Sequence, residues 1–575
     1  MKTLLDTLSS LLAGAIGRAF PGADIPSAVL PATRSAFGEA QWNGALAASK
    51  LLRKPPRAIA EAVLTELPVG DGGLIAKAEI AGPGFLNLTL SPAALASWLE
   101  ELSRDPFRGV PQEGAGERYI IDYSSPNVAK PMHIAHIRST VIGDALKRIH
   151  RALGREVLGD NHLGDWGTQF GILIMGYRHF LDPAALADSP VDELQRLYVL
   201  SHAKADEDPV WKEACRAELV KLQQGEAENL ALWKRFIALS MEEFNRVYAR
   251  LGVTFEMTRG ESYYRARDPE IASMLEEKGL ARESEGALVA FFDGDESPLP
   301  PCIIRKSDGA YNYAASDLAT VFTRNEDFSP TAVLYVTDER QQLHFRQFFR
   351  LAEKAGNQTP LVHVWFGLMR LPDGLMSTRN GRAIKLEMLL DEAERRAREL
   401  VDAASPSLPE GERAAIAKAV GIGAVKYADL SQNPQSAVNF TWEKALSMDG
   451  NSAPYLQYAC ARARSVAAKH RARFPGEDAE TSPILLDKPQ EKALALALAL
   501  VPEAVREAAR LAKPSALAEA IYALAGAYSA FYQALPCLRA EDPATRASRV
   551  RLCLETARML SFALGLLGIE TPERI

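Results

Sequence analysis

Residues 122–140 read DYSSPNVAKPMHIAHIRST, and the fold turns on them. Residues 119–123, YIIDY, form a β-prone run that feeds a polar turn holding Pro126 and Pro131. The apolar spacing that follows predicts a helix over 134–149. A strand entering a helix N-terminus places backbone N–H groups and the positive dipole end where an anion can rest. His133 and His136 stand three apart at that entry, so they share a helix face and aim together. The stretch therefore reads as an anion-handling site suited to a nucleotide. Metal chemistry fits poorly: HIAH is not the HExxH pattern, no Cys or Asp cluster completes a ligand set, and no metal site is expected.

Outward from this motif, β-prone runs alternate with helical patterns between 119 and 371: YIIDY, REVLGDN, ALVAFF, CIIRK, AVLYVTD and LVHVWFG. Alternation of this kind predicts an α/β domain, a parallel sheet wound with helices. Residues 172–253 are charged and helical, as an insertion between two halves of such a sheet would be. Residues 1–110 predict a small α+β module with strands near 75–80 and 85–90, closed by the turn-rich DPFRGVPQEGAGER. From 386 onward the pattern is helical with one break near 474–489, and 441–575 reads as a separate all-α bundle. The expected domains are thus 1–110, 111–440 and 441–575.

A chain of 575 residues exceeds what one core serves, and 47% hydrophobic with 24% charged residues is ordinary globular composition. The five cysteines have no CxxC spacing, which argues against structural zinc or a disulfide framework and predicts a reducing, cytoplasmic setting. The opening MKTLLDTLSSLLAGAIGRAF has apolar residues at helical spacing, interrupted by Asp6 and Arg18, so an amphipathic helix is expected rather than a signal peptide. No apolar window is long enough to predict a membrane span. Net charge is −7, yet residues 441–575 carry 17 Lys+Arg against 15 Asp+Glu while the remainder carries 49 against 58. The C-terminal bundle is therefore the part biased, mildly, towards a polyanion.

SPNVAKPMHIAHIRSTVIGDALKRI resembles the HIGH signature of class I aminoacyl-tRNA synthetases, in the form found in arginyl-tRNA synthetases. Further segments follow in that family's order: GDNHLGDWGTQFG (159–171), GESYY (260–264), KSDGAYNYAASDLA (306–319), RQQLHF (340–345), LMSTRNG (375–381), VGIGAVKYADLSQN (420–433) and GNSAPYLQYACAR (450–462). FGEAQWNGALAASKLLRKPP (37–56) and IAGPGFLNLTL (80–90) resemble its N-terminal appendage, so the likeness covers nearly the whole chain.

The resemblance implies a Rossmann-like catalytic domain with a helical insertion, a small N-terminal domain touching the tRNA elbow, and a helical anticodon-binding domain. It implies an arginine–tRNA ligase that uses ATP with Mg²⁺, L-arginine and tRNA(Arg), acts as a monomer and passes the arginyl group to a 2′-OH. Adenylate formation in this family generally needs bound tRNA. The catalytic set would be Lys130, His133, His136 and Arg379, with Ala135, Gly367, Met376 and Ser377 joining the histidines around ATP. Arginine would be held by Asn127, Glu261, Tyr313, Asp317 and Gln341, Tyr313 packing beside the two acids. Phe37, Gln41, Trp42, Asn43, Tyr455, Tyr458 and Arg462 would contact tRNA, with core packing the competing role for Trp42 and for the tyrosines. The chain departs from the class at LMSTR, which lacks both lysines of the KMSKS loop; Lys130, just before the histidines, occupies the place of a substituting lysine. Ala135 also replaces the glycine of the signature. A catalytically silent tRNA-binding paralogue, another class I synthetase and a small-molecule nucleotidyltransferase are the other readings.

Overall fold

The computed structural model describes residues 1–32, 37–70, 72–292, 298–370 and 385–575. Its centre is a parallel sheet in the order Leu361–Phe366, Ala332–Asp338, Arg118–Asp122, Glu156–Asp160. The chain lays Arg118–Asp122 first, moves to one side for Glu156–Asp160 and later to the other for Ala332–Asp338. Strand order thus reverses beside Arg118–Asp122, and the carboxyl ends there open on the crevice where open α/β sheets take ligands.

The predicted helix after the signature is Ala135–Ala152, which buries Ile137, Val141, Ala145, Leu146 and Ile149. Two of the six β-prone runs leave the parallel sheet. Ala287–Ala290 and Cys302–Arg305 join Ala281–Ser284 in a separate antiparallel sheet. The reason is connection length: parallel neighbours need a crossover of a dozen residues or more, usually helical, and these strands follow one another too closely.

The insertion is built from helices Pro183–Asp188, Pro190–Glu207, Pro209–Gln223 and Ala227–Leu251, following Gln169–Phe180. Asp182 and Asp208 cap two of them through side-chain acceptance from the first-turn N–H groups, each followed by a proline whose missing N–H costs nothing there.

At the N-terminal end, Leu4, Leu8, Leu12, Ala15 and Ile16 form the buried stripe of helix Leu4–Ala19, capped by Thr3. It covers an antiparallel sheet in the order Val29–Pro31, Ala40–Trp42, Phe85–Leu90, Ile75–Ala81. The two longer strands match the sequence pattern; the two three-residue strands were too short to carry one. Helices Ala453–Arg473, Pro489–Leu511, Ser515–Ala534 and Pro543–Leu566 form the C-terminal bundle, with the break at 474–488. Arg506 binds Asp6 and Lys492 pairs with Glu39, so the N-terminal module docks on this bundle. No helix among the described residues is long and apolar enough to cross a membrane.

Candidate active site

The loop between strand Arg118–Asp122 and helix Ala135–Ala152 is strained and closely held. Ser124, Ser125 and Ala129 all have positive φ, a conformation that non-glycine residues adopt at a cost. Tertiary bonds hold it: Ser124 N–H to Ser139 Oγ at 2.8 Å, Ser125 N–H to Asn161 Oδ1 at 3.1 Å, and Ala129 N–H to Ser240 Oγ at 2.9 Å. Asn127 bridges to Gly164, where a Cβ would lie 2.1 Å from Asn127 Oδ1, so only glycine admits that amide.

The two imidazoles face each other at 4.0 Å between centroids. His133 N–H donates to His136 Nδ1 at 3.1 Å, and Ala135 N–H donates to His133 Nδ1 at 3.3 Å. With both Nδ1 atoms accepting, each ring carries its proton on Nε2. Burial, with His133 beside it, pushes the His136 pKa down to about 3. Burial, then Arg340 and Lys130, lowers that of His133. The pair is therefore two neutral Nε2–H donors. This corrects the expectation that backbone amides of the helix start hold the anion: the N–H groups of His133, Ala135 and His136 are already bonded within the turn.

Lys130 is exposed and its Nζ lies 5.4 Å from the Tyr198 ring centroid, on insertion helix Pro190–Glu207. Gly367 spends both backbone groups on the protein: its N–H donates to Pro434 O at 3.0 Å and its carbonyl accepts from Arg138 Nη1. A Cβ there would come within 3.0 Å of the Ser436 backbone, tighter than an ordinary contact, so glycine fits this position best. Arg138 also binds the buried Asp429 carboxylate at 3.0 Å, tying the histidine helix to helix Glu410–Leu430. Met376, Ser377 and Arg379 lie outside the described residues.

Glu261 opens the short helix Glu261–Tyr264, and its N–H donates to Leu163 O at 3.0 Å. The adjoining Ser262 is clamped by Asp165, which accepts its N–H at 2.9 Å and its hydroxyl at 2.6 Å. Burial first, then the negative charges of Asp317 and Asp165, pushes the Glu261 pKa up to about 8. A half-buried acid facing other acids is suited to a cation. Among the described residues, the buried Trp166 Nε1 and His162 Nδ1, on the segment that carries Asp165, have no hydrogen-bond partner.

Asp317 lies on helix Tyr313–Phe328, one turn after Tyr313. Tyr313 is 68% exposed at the first helical position, so it faces solvent rather than packing on the acids as expected. Asn127, on the histidine loop, and Gln341, just before helix Gln342–Ala355, are both exposed.

Family comparison decides what this crevice belongs to. Residues 104–442 match the class I tRNA synthetase (R) catalytic domain family, residues 6–90 the arginyl tRNA synthetase N-terminal domain family, and residues 456–575 the DALR anticodon binding domain family. A Fusobacterium nucleatum protein named arginine–tRNA ligase is 43% identical over 571 residues, 99% of each chain. The chain belongs to the arginyl-tRNA synthetase family. Arginyl-tRNA synthetase from Thermus thermophilus superposes over 100% of both chains with a TM-score of 0.82 at 26% identity. The Plasmodium falciparum arginyl-tRNA synthetase shares the fold, with a TM-score of 0.83 at 24% identity and 100% coverage of both chains.

Against the arginyl-tRNA synthetase pattern, the outer residues divide. Trp42 is wholly buried and its Nε1–H donates to Pro26 O at 2.7 Å, so it belongs to the N-terminal core and not to an RNA surface. Gln41 Nε2 donates to Asn87 Oδ1 at 2.6 Å, while Asn43 is exposed and Phe37 half-buried. Tyr455, Tyr458 and Arg462 are half-exposed on helix Ala453–Arg473. Arg462 stacks over Tyr458 at 4.5 Å and Tyr532 at 5.3 Å, and Tyr455 meets Tyr522 edge-on at 6.0 Å.

Four residues of these surfaces escaped the sequence reading. Tyr522 and Tyr532 sit ten apart on helix Ser515–Ala534, close to three turns, a spacing that could have flagged them. Lys385 forms a β-bridge with His133 and pairs with Asp192; only the fold brings it there. His344 donates to Asp317, and the RQQLHF segment contained it without a signal for its partner.

Proposed function

We propose that the chain is an arginine–tRNA ligase that activates L-arginine with ATP and passes it to the terminal adenosine of tRNA(Arg). The carrying observation is Glu261, half-buried beside the negative charges of Asp317 and Asp165 with its pKa pushed up to about 8. Its N–H is held to Leu163, next to Gly164, which bridges to Asn127 of the histidine loop. A guanidinium is planar, always charged and able to bond carboxylates in a fork, so it restores the missing charge and satisfies both acids at once. A lysine ammonium cannot reproduce that geometry.

With arginine so held, Asn127 and Gln341 take its α-amino end and its carboxylate attacks the α-phosphorus of ATP. The Pα–O bond to the β-phosphate breaks, and pyrophosphate leaves. The neutral Nε2–H groups of His133 and His136 donate to phosphate oxygens as charge develops, and Lys130 supplies the ammonium that the lysine-free loop does not. Arg379, Met376, Ser377, Ala135 and Gly367 complete the ATP site in this reading. Mg²⁺ arrives with ATP and neutralises its phosphates without a protein cage. A ribose hydroxyl of the tRNA, the 2′-OH for this class, then takes the arginyl group and AMP leaves.

Residues 1–110 would meet the tRNA elbow through Phe37, Gln41 and Asn43, and residues 441–575 the anticodon through Tyr455, Tyr458 and Arg462. The working unit is a cytoplasmic monomer. Aminoacylation of total tRNA with each radiolabelled amino acid in turn tests the proposal: arginine alone should label. Tight tRNA binding without labelling would instead mark a silent paralogue.

A further inference from the structure

We propose that His344 is a positioning residue of the guanidinium site, holding one oxygen of Asp317 so that the rest of the carboxylate is presented to the substrate. The inference rests on the arginine-binding reading and adds a residue to it.

Asp317 projects from helix Tyr313–Phe328 with its side chain 28% exposed. At that exposure a carboxylate is free to turn about its last torsion, which has only a broad two-fold preference. A fork contact with a guanidinium requires the carboxylate plane to be set, and every torsion left loose is an entropy that binding must overcome. His344 removes that freedom: its Nε2 lies 2.5 Å from Asp317 Oδ2. An ionised carboxylate offers about four acceptor directions, so one bond from the imidazole leaves Oδ1 and the remaining lone pair of Oδ2 for arginine.

The imidazole is itself anchored. His344 lies in the first turn of helix Gln342–Ala355, and its ring packs on Phe348 at 5.2 Å, within the cluster that includes Tyr335, Phe345 and His363. Gln341, assigned to the substrate's α-amino end, is only three residues earlier. A single rigid segment therefore sets both ends of the arginine site, one directly and one through Asp317.

Phenylalanine at 344 keeps an aromatic ring against Phe348 and lacks the donor, whereas glutamine keeps a donor of similar reach. In the full-length protein, His344→Phe should raise the arginine KM about tenfold or more, the size of one lost bond to a charged group. The kcat at saturating arginine and the KM for ATP and tRNA should stay within about threefold, because the phosphate-facing groups are untouched. His344→Gln should recover most of the arginine KM. If phenylalanine does not fold, His344→Leu is the donorless variant to compare with glutamine. An unchanged arginine KM in the donorless variant, or equal losses for arginine and ATP, overturns the proposal. Asp317→Asn is run beside it: if that variant raises the arginine KM while His344→Phe does not, only the role of His344 falls. If Asp317→Asn leaves the arginine KM unchanged, the arginine-site reading falls and this inference with it.

Discussion

Two groups of acids in the catalytic domain differ: one is fully buried around a guanidinium of its own, the other is half-buried. Asp122 and Asp160, at the carboxyl ends of adjacent strands, each lie 2.7 Å from Arg324 Nη2, and Arg324 is fully buried. Burial disfavours the Arg324 charge, yet the two carboxylates outweigh it and hold its pKa well above the ordinary value. Among the described residues no arginine forms an ion pair with Glu261 or Asp317; Arg265 only moderates the effect of the neighbouring acids, and Glu261 is driven towards its neutral form instead. The same chemistry is thus used twice, once closed by the chain and once left for a ligand. A closed set contributes to the fold; an open one stores an unfavourable charge that a guanidinium relieves.

The largest effect should come from opening the closed set. Arg324→Met leaves Asp122 and Asp160 buried without a cation, and unfolding in denaturant should show a loss of about 3–5 kcal/mol. A loss below about 1 kcal/mol would mean that the resident guanidinium is not what holds these strand ends.

Next in size is the cradle, where charge must be supplied rather than stored. Lys130→Ala should lower arginine-dependent pyrophosphate exchange by ~10²-fold or more, the scale of one preorganised charge-stabilising donor. Its arginine KM should change little, since Glu261 and Asp317 are intact. Near-normal exchange would show that Lys130 does not stand in for the lysines missing from the loop.

The open set should show itself in pH dependence. Arginine binding requires Glu261 ionised, so below its raised pKa of about 8 a proton must leave as the cation enters. The arginine Kd should fall roughly tenfold between pH 6.5 and 8 and then level, as one released proton dictates. Glu261→Gln should bind arginine more weakly and lose this slope. Asp317, Asp165, Asp268, His162, His344 and Arg265 surround the site, and the variant separates their titration from that of Glu261. Stability gives the opposite sign. A folded pKa raised above the ordinary 4.5 contributes stability that is lost as pH rises through about 8. Without arginine, Glu261→Gln should therefore melt higher than the parent at pH 8.5, whereas Arg324→Met melts lower. Equal slopes in parent and variant would assign the pH effect to another group.

The difference between the two sets also marks what the sequence could convey. The histidine pair, its strand and its helix were legible because the contacts involved lie within one continuous stretch of chain. The parallel sheet and the C-terminal bundle were legible from period and length. Strands 287–290 and 302–305 were not, because the same residue types suit either ladder and the connection length had to decide. Trp42 could not be placed: an aromatic in a polar segment serves core and RNA surface alike, and its depth depends on Pro26 and Leu86 opposite. Arg324, Lys385 and His344 meet side-chain partners 27 to 202 residues away, and no local pattern announces those pairings.

The smallest predicted effect concerns Tyr313, one helical turn before Asp317 with its ring mostly in solvent. An exposed aromatic facing a cation is worth about 0.5–1 kcal/mol, so Tyr313→Ala should raise the arginine KM only about two- to fivefold. Tyr313→Phe should be nearly silent, because the ring face and not the hydroxyl would meet the guanidinium. A loss of ~50-fold in the alanine variant would show that the ring swings in and buries the bound arginine. The open set would then be closed by substrate from above, much as Arg324 closes the other from within.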